Sequence, residues 1–211
     1  MIHLPRLYAI VDAALFSSPE ALVGAAKELA DGGCTLLQYR NKSGNARFML
    51  DQAIALRRQL RAAGVPAPHE LKLVMNDRAD LCLAAGFDGV HVGQEDLSPE
   101  SVRAIIGSER WLGVSTHNPE QLREADLTSA DYLAIGPVFA TSSKGRPDPV
   151  VGLDGVRRAR ELTRKPLVAV GGITRANAAS VIEAGADSVA VISDLLREPR
   201  KSAEEFFRVL R

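Results

Sequence analysis

Two aspartates, nineteen residues apart, carry the strongest chemical signal in this 211-residue chain. Asp77 stands in Asn76-Asp77-Arg78, directly after the apolar run Leu71–Met75, and Asp96 closes Val92-Gly93-Gln94-Glu95-Asp96, after the short run Val90–Val92. Both runs read as strands, and Ala79–Ala85 between them reads as a helix. Two parallel strands joined by a helix set their C-terminal ends side by side, so the two carboxylates share one rim. A small number of hard oxygen ligands suits Mg²⁺, which keeps several waters and shares its shell with substrate phosphates. Asp77 is also a residue type that caps the helix after it, and the residue alone does not choose between the two.

The elements that must position this pair recur along the whole chain. Strand candidates are Leu7–Val11, Thr35–Tyr39, Leu71–Met75, Gly89–Val92, Trp111–Val114, Tyr132–Ile135, Leu167–Val170 and Ser188–Ile192. Helical periodicity falls between them, at Pro19–Leu29, Ala46–Ala62, Ala79–Ala85, Pro99–Ile106, Pro119–Leu127, Gly152–Leu162 and Ala176–Glu183, with Ala203–Leu210 closing the count. Several helices end on glycine before the next strand, as in Ala85-Gly86-Phe87-Asp88 and Ala184-Gly185-Ala186-Asp187. Consecutive Val, Ile and Leu within a strand indicate burial on both faces, as in a parallel sheet. Eight strand–helix units predict a single α/β domain over residues 1–211, a (β/α)₈ barrel near the lower end of its size range. A doubly wound open sheet is the alternative. It would carry a G-x-G-x-x-G turn after an early strand, and the chain has none.

In such a barrel the chemistry belongs at the C-terminal ends of the strands. After the second strand comes Gln38-Tyr39-Arg40-Asn41-Lys42, where alternation sets Gln38, Arg40 and Lys42 on one face. Ser115, Thr116 and His117 follow the fifth strand, and Thr141, Ser142, Ser143 and Lys144 follow the sixth. Gly171-Gly172 follows the seventh and Ser193 the eighth. Arg grips phosphate bidentately and Lys as a point charge, while paired glycines let backbone N–H groups approach an anion. Ser193-Asp194-Leu195-Leu196 reads as a short helix that would complete a phosphate site beside the last two strands. A basic cluster with a metal on one side, and a second anion site on the other, point to a diphosphate and a monophosphate as two small-molecule substrates. The polar segment Ala140–Val150 reads as a lid over them. His91, between Val90 and Val92, reads as a core histidine.

Composition narrows the partners. Lys plus Arg and Asp plus Glu are 26 each, so no bulk field draws the chain to nucleic acid or to an anionic membrane. No apolar run approaches the roughly 20 residues that span a bilayer. Cys34 and Cys82 lack metal-ligand spacing and sit in apolar segments. With no secretory layout at the start, a cytoplasmic protein is expected. Homo-oligomerisation is left open.

The segments Gln38-Tyr39-Arg40-Asn41-Lys42, Asn76-Asp77-Arg78, Asp88 to Asp96, Gly113-Val114-Ser115, Gly136-Pro137-Val138-Phe139-Ala140-Thr141, Val170-Gly171-Gly172-Ile173 and Val191-Ile192-Ser193, taken in order, resemble the thiamine phosphate synthase family. The resemblance implies joining of a hydroxymethylpyrimidine diphosphate to a thiazole phosphate, plain or carboxylated, with release of pyrophosphate. It implies Mg²⁺ on Asp77 and Asp96. Gln38, Tyr39, Arg40, Asn41, Lys42, Asn76, Ser115 and Lys144 would meet the pyrimidine diphosphate, with Arg40, Lys42, Lys144 and Ser115 as the catalytic group. Thr141, Ser142, Ser143, Gly171, Gly172, Val191 and Ile192 would hold the thiazole phosphate. The family commonly has Thr-x-Thr-Lys after the sixth strand, whereas Thr141-Ser142-Ser143-Lys144 stands here, which keeps a hydroxyl at Ser143. The rival on the same barrel is a thiazole tautomerase, an isomerase using a histidine such as His117, and its mark would be loss of the aspartate pair and the basic cluster. A non-catalytic phosphate sensor would likewise have no need of Mg²⁺ ligands.

Overall fold

The computed structural model describes residues 2–63, 71–141 and 148–211. Eight parallel strands pair in chain order and close on themselves: β1 Leu7–Asp12, β2 Leu36–Arg40, β3 Lys72–Asn76, β4 Gly89–Val92, β5 Trp111–Thr116, β6 Tyr132–Ile135, β7 Leu167–Val170 and β8 Ser188–Val191. A helix follows each: α1 Pro19–Asp31, α2 Ala46–Ala63, α3 Ala79–Ala85, α4 Pro99–Ile106, α5 Pro119–Asp126, α6 Gly152–Leu162, α7 Ala178–Glu183 and α8 Pro199–Val209. This is the expected (β/α)₈ barrel. No helix among the described residues is long and apolar enough to cross a membrane.

Local chemistry explains the boundaries. Ser18, Ser98 and Asn118 cap α1, α4 and α5, accepting from Ala21, Ser101 and Gln121 N–H, and each is followed by proline at the first helical position. Pro199 likewise stands first in α8, here without a side-chain cap, four residues earlier than periodicity indicates. The first three strands run past their apolar runs to Asp12, Arg40 and Asn76, because pairing continues through Asp12 with Arg40 and Asn76 with His91. Three polar side chains are thereby held on strands rather than on loops. The expected helix at Ser193–Leu196 is instead a turn closed by Leu195 N–H on Ile192 C=O. Asp194 is drawn sideways by Arg175, through both its backbone N–H and its guanidinium, and this diverts the chain from a helical path.

Alternate strand residues build two cores. Tyr8, Ile10, Leu36, Val74, Tyr132, Ala134, Val168 and Ala190 fill the barrel, whereas their neighbours Ala9, Val11, Leu37, Leu73, Val90 and Val189 pack under the helices. Cys34 and Cys82 belong to the outer layer, where burial pushes both thiols up to about 12. Thiols so held are inert near neutrality.

The N-terminal rim carries a device used three times. Asp88, Asp131 and Asp187 stand immediately before β4, β6 and β8. Each accepts a backbone N–H from the start of the preceding strand: Leu73 at 2.8 Å, Leu112 at 2.7 Å and Leu167 at 2.8 Å. Each also pairs with an arginine from α2, α4 or α6: Arg61 at 3.1 Å, Arg103 at 2.7 Å and Arg160 at 2.8 Å. One carboxylate thus ties an odd strand to the next even strand and to the helix that precedes the odd strand. Before β2 the corresponding residue is Thr35, which cannot do this. Asp131→Ala should strand the Leu112 N–H and the Arg103 charge, costing about 2 kcal/mol. Thermal unfolding should then show a Tm lower by about 4–8 °C, with catalytic constants per folded molecule unchanged, since the clamp lies at the rim away from the chemistry.

Candidate active site

A cavity of about 380 Å³ opens into the barrel. Gln38 and Arg40 from β2, Asn76 from β3, Ser115 from β5, Thr141 after β6, Gly171 and Gly172 after β7, and Val191 and Ile192 at β8 all line it. Val191 turns its side chain into the outer core, so it meets the cavity through its backbone. Ser142, Ser143 and Lys144, with most of the expected lid, lie outside the described residues.

Tyr39 and Asn41 do not join this group. Tyr39 faces outward, packs edge-on to Phe87 and donates to Gln52 Oε1 at 2.7 Å, while Asn41 Nδ2 donates to the Tyr39 hydroxyl and to Gln52 Oε1. The period of two that points Gln38 and Arg40 inward points Tyr39 and Asn41 at α2. There they brace the end of β2.

Asp77 directly follows Asn76 at the end of β3 and Asp96 follows β4 by four residues; neither they nor Lys42 are among the residues that line the cavity. Asp77 has φ 62°, a left-handed conformation unusual for a residue with a side chain. It does not cap α3, whose N-cap position is Arg78 with no side-chain cap. Its carboxylate pairs instead with Lys42 and feels the neighbouring charge of Asp96. Burial, helped by Asp96, raises the Asp77 pKa above the ordinary carboxylate range against the opposing pull of Lys42. Asp96 is aimed by the Gly93 N–H, at 2.7 Å. Among the described residues no group of three or more His, Cys, Asp or Glu gathers as a metal centre. The donor set is thus two carboxylates, held together at an electrostatic disadvantage that a cation would relieve.

Arg40 is fixed by an ion pair with buried Asp12, whose other oxygen accepts the Ala14 N–H. Asn76 Nδ2 is buried without a hydrogen-bond partner in a residue that lines the cavity. Such a donor is costly unless a ligand accepts from it. Gly171 and Gly172 have φ of 99° and 63°, and a Cβ on Gly172 would lie 2.6 Å from Ala140 C=O. These glycines let the loop after β7 run against the loop after β6, where Val138 and Phe139 N–H donate to Val170 and Gly171 C=O. His117 lines the cavity with Nδ1 2.6 Å from Gly136 C=O and Nε2 3.5 Å from Asp148.

Sequence reasoning passed over Tyr8, Asp12 and Tyr132. Asp12 had a signal, as the residue that ends the first apolar run. The two tyrosines look like ordinary strand residues, and only closure of the barrel turns them on one another.

Carboxylates, cations and one buried unpaired donor gathered at the C-terminal end of a (β/α)₈ barrel are the arrangement expected of an enzyme that handles phosphorylated small molecules. The chain matches the thiamine monophosphate synthase family over residues 7–195. It is 61% identical over 212 residues to the thiamine-phosphate synthase of Koribacter versatilis, covering 99% of this chain and 97% of the relative. It is 45% identical over 190 residues to that of Chloroflexus aurantiacus, covering 89% and 83%. The thiamine phosphate pyrophosphorylase structure from Pyrococcus furiosus superposes with a TM-score of 0.84 at 33% identity, over 97% of this chain and 95% of that one. The chain belongs to the thiamine monophosphate synthase family. Membership makes it a transferase of thiamine biosynthesis.

Proposed function

We propose that the chain joins hydroxymethylpyrimidine diphosphate to thiazole phosphate, with Mg²⁺ held by Asp77 and Asp96. The observation that carries this reading is the pair itself: two carboxylates from adjacent strand ends, crowded against each other and against Lys42, beside a cavity rather than on a helix cap. The pair fits Mg²⁺, whose remaining positions suit water and diphosphate oxygens. When bound, Mg²⁺ supplies positive charge against the departing diphosphate.

The protein's own groups do the rest. Arg40, locked by Asp12, presents a preorganised cation to the leaving group, and Lys42, two residues beyond the end of β2, adds a second. Asn76 and Ser115 offer donors from the cavity wall, and Gln38 orients the pyrimidine ring. The C–O bond to diphosphate breaks with its electron pair leaving on oxygen. The cation left on the pyrimidine methylene is then taken by the thiazole nitrogen, forming the C–N bond. No protein nucleophile is required, in keeping with the inert buried thiols. Thr141, Gly171, Gly172 and the backbone at Val191 and Ile192 hold the thiazole phosphate against the other wall, which sets the nitrogen in reach. Lys144 and Ser143 are assigned by resemblance alone.

Offering both substrates and following thiamine phosphate tests the reading. Coupled product supports it. Thiazole phosphate isomerisation without coupling would transfer the chain to the tautomerase alternative. Gly172→Ala should raise the KM for thiazole phosphate about 10-fold or more, since a left-handed alanine costs about 1–2 kcal/mol and its Cβ would press on Ala140. Steady-state kinetics with thiazole phosphate varied would register this, and an unchanged KM would remove Gly172 from the site.

A further inference from the structure

A chain of hydrogen bonds crosses the barrel beneath the cavity. Gln38 Nε2 donates to the Tyr8 hydroxyl at 2.8 Å, which meets the Tyr132 hydroxyl at 3.1 Å. Tyr132 meets His91 Nδ1 at 3.0 Å, and His91 Nε2 meets Ser115 Oγ at 2.8 Å. Five side chains from β2, β1, β6, β4 and β5 are joined in this way. Register makes it possible. His91, Gly113 and Tyr132 stand in one row on neighbouring strands, and a Cβ on Gly113 would overlap both the Tyr132 ring and His91 Nδ1. The His91–Tyr132 contact passes through the space that glycine leaves.

The chain has a direction. Burial pushes both phenols well above their usual range, Tyr8 and Tyr132 alike, so each keeps its single proton. Gln38 gives its N–H to Tyr8, Tyr8 gives its proton to Tyr132, and Tyr132 gives its own to His91 Nδ1. With the Gln38 amide nitrogen turned to Tyr8, the opposite direction would leave the Tyr8 proton without an acceptor among these groups. A histidine's tautomer is set by the bond its other nitrogen makes. With Nδ1 accepting, Nε2 carries the proton and donates to Ser115, whose own hydroxyl hydrogen is then free to point into the cavity.

We propose that Tyr132 is a positioning residue that fixes His91 as the Nε2–H tautomer, and so fixes Ser115 as a hydrogen-bond donor and Gln38 in a single amide orientation towards substrate. Tyr132 does not line the cavity, so it acts only through these partners. The catalytic half of the statement rests on the reaction proposed above; the tautomer does not.

The test uses ¹⁵N-histidine spectra of the full chain without substrate, with His91 assigned by its loss in His91→Gln, alongside kinetics. Wild type should show His91 as the neutral Nε2–H form near neutral pH. Tyr132→Phe, which keeps the ring, should lose that single tautomer and lower kcat about 10-fold, a loss typical of removing the partner that orients a functional group, with KM little changed. Ser115→Ala combined with Tyr132→Phe should fall no further than Ser115→Ala alone, because the two act along one path. An Nδ1–H tautomer in wild type would overturn the proposal without recourse to any variant. So would an unaltered tautomer and kcat in Tyr132→Phe, or losses that multiply in the double variant. Absence of coupling by wild type would sink the proposed reaction, while the tautomer in the same sample still decides the hydrogen-bond direction.

Discussion

Asp77→Asn is expected to lower Mg²⁺-dependent turnover about 10³-fold, equivalent to about 4 kcal/mol of transition-state stabilisation, while the barrel stays folded. Two features set this size. The substitution halves a two-carboxylate donor set that has no third acidic or histidine member among the described residues. It also leaves Asp96 and Lys42 facing a neutral amide. Folding should survive because the Asp77 side chain caps nothing, and the local path is held by backbone bonds, Asp77 N–H to His91 C=O at 2.8 Å among them. Asparagine tolerates the φ of 62° that this position adopts. Asp77→Ala should lose the same activity and, in addition, about 1 kcal/mol of stability from the left-handed backbone. Turnover at saturating Mg²⁺, with thermal unfolding of the same samples, separates the two effects. Near-normal turnover in Asp77→Asn would return this residue to a purely structural role.

Arg40→Ala carries the second large expectation, a fall in kcat/KM of about 10²–10³-fold, the usual loss when a preorganised charge-stabilising donor is removed. Here activity and stability fall together, because Asp12 is buried and its carboxylate would lose its partner. An uncompensated buried charge costs about 3–5 kcal/mol. A second variant divides the two roles. Asp12→Asn with Arg40→Gln removes both charges and should recover most of the stability and none of the activity. Arg40→Lys should recover only part of the activity, since an ammonium lacks the planar fork that meets a phosphate with two donors. Recovery of turnover in the doubly neutral variant would show that Arg40 serves the fold and not the leaving group.

The barrel was legible because its information is periodic and local. Runs such as Leu167–Val170 are apolar at consecutive positions because both faces are covered, and glycine stops such as Gly86 and Gly185 mark where each helix turns back. The rim could also be read, since Gln38, Arg40, Asn76 and Ser115 needed only strand assignment and alternation to be set around one cavity. Three features were out of reach for physical reasons. Tyr39 and Asn41 share a motif with Gln38 and Arg40, and only the phase of the strand, fixed by pairing with β1 and β3, decides which pair turns inward. Ser193–Leu196 has helical composition, but Arg175, eighteen residues before Ser193, captures Asp194 and leaves a turn. The Tyr8–Tyr132 contact joins positions 124 residues apart, and no local pattern encodes it.

Pyrophosphate release by the wild-type protein, given both substrates with and without Mg²⁺, tests the two-aspartate metal site most directly. Release that requires Mg²⁺ and both substrates, matched by thiamine phosphate, is the predicted result. Equal release after removal of divalent cations, from folded protein, would contradict the assignment of Asp77 and Asp96 as the ligands on which the leaving diphosphate depends.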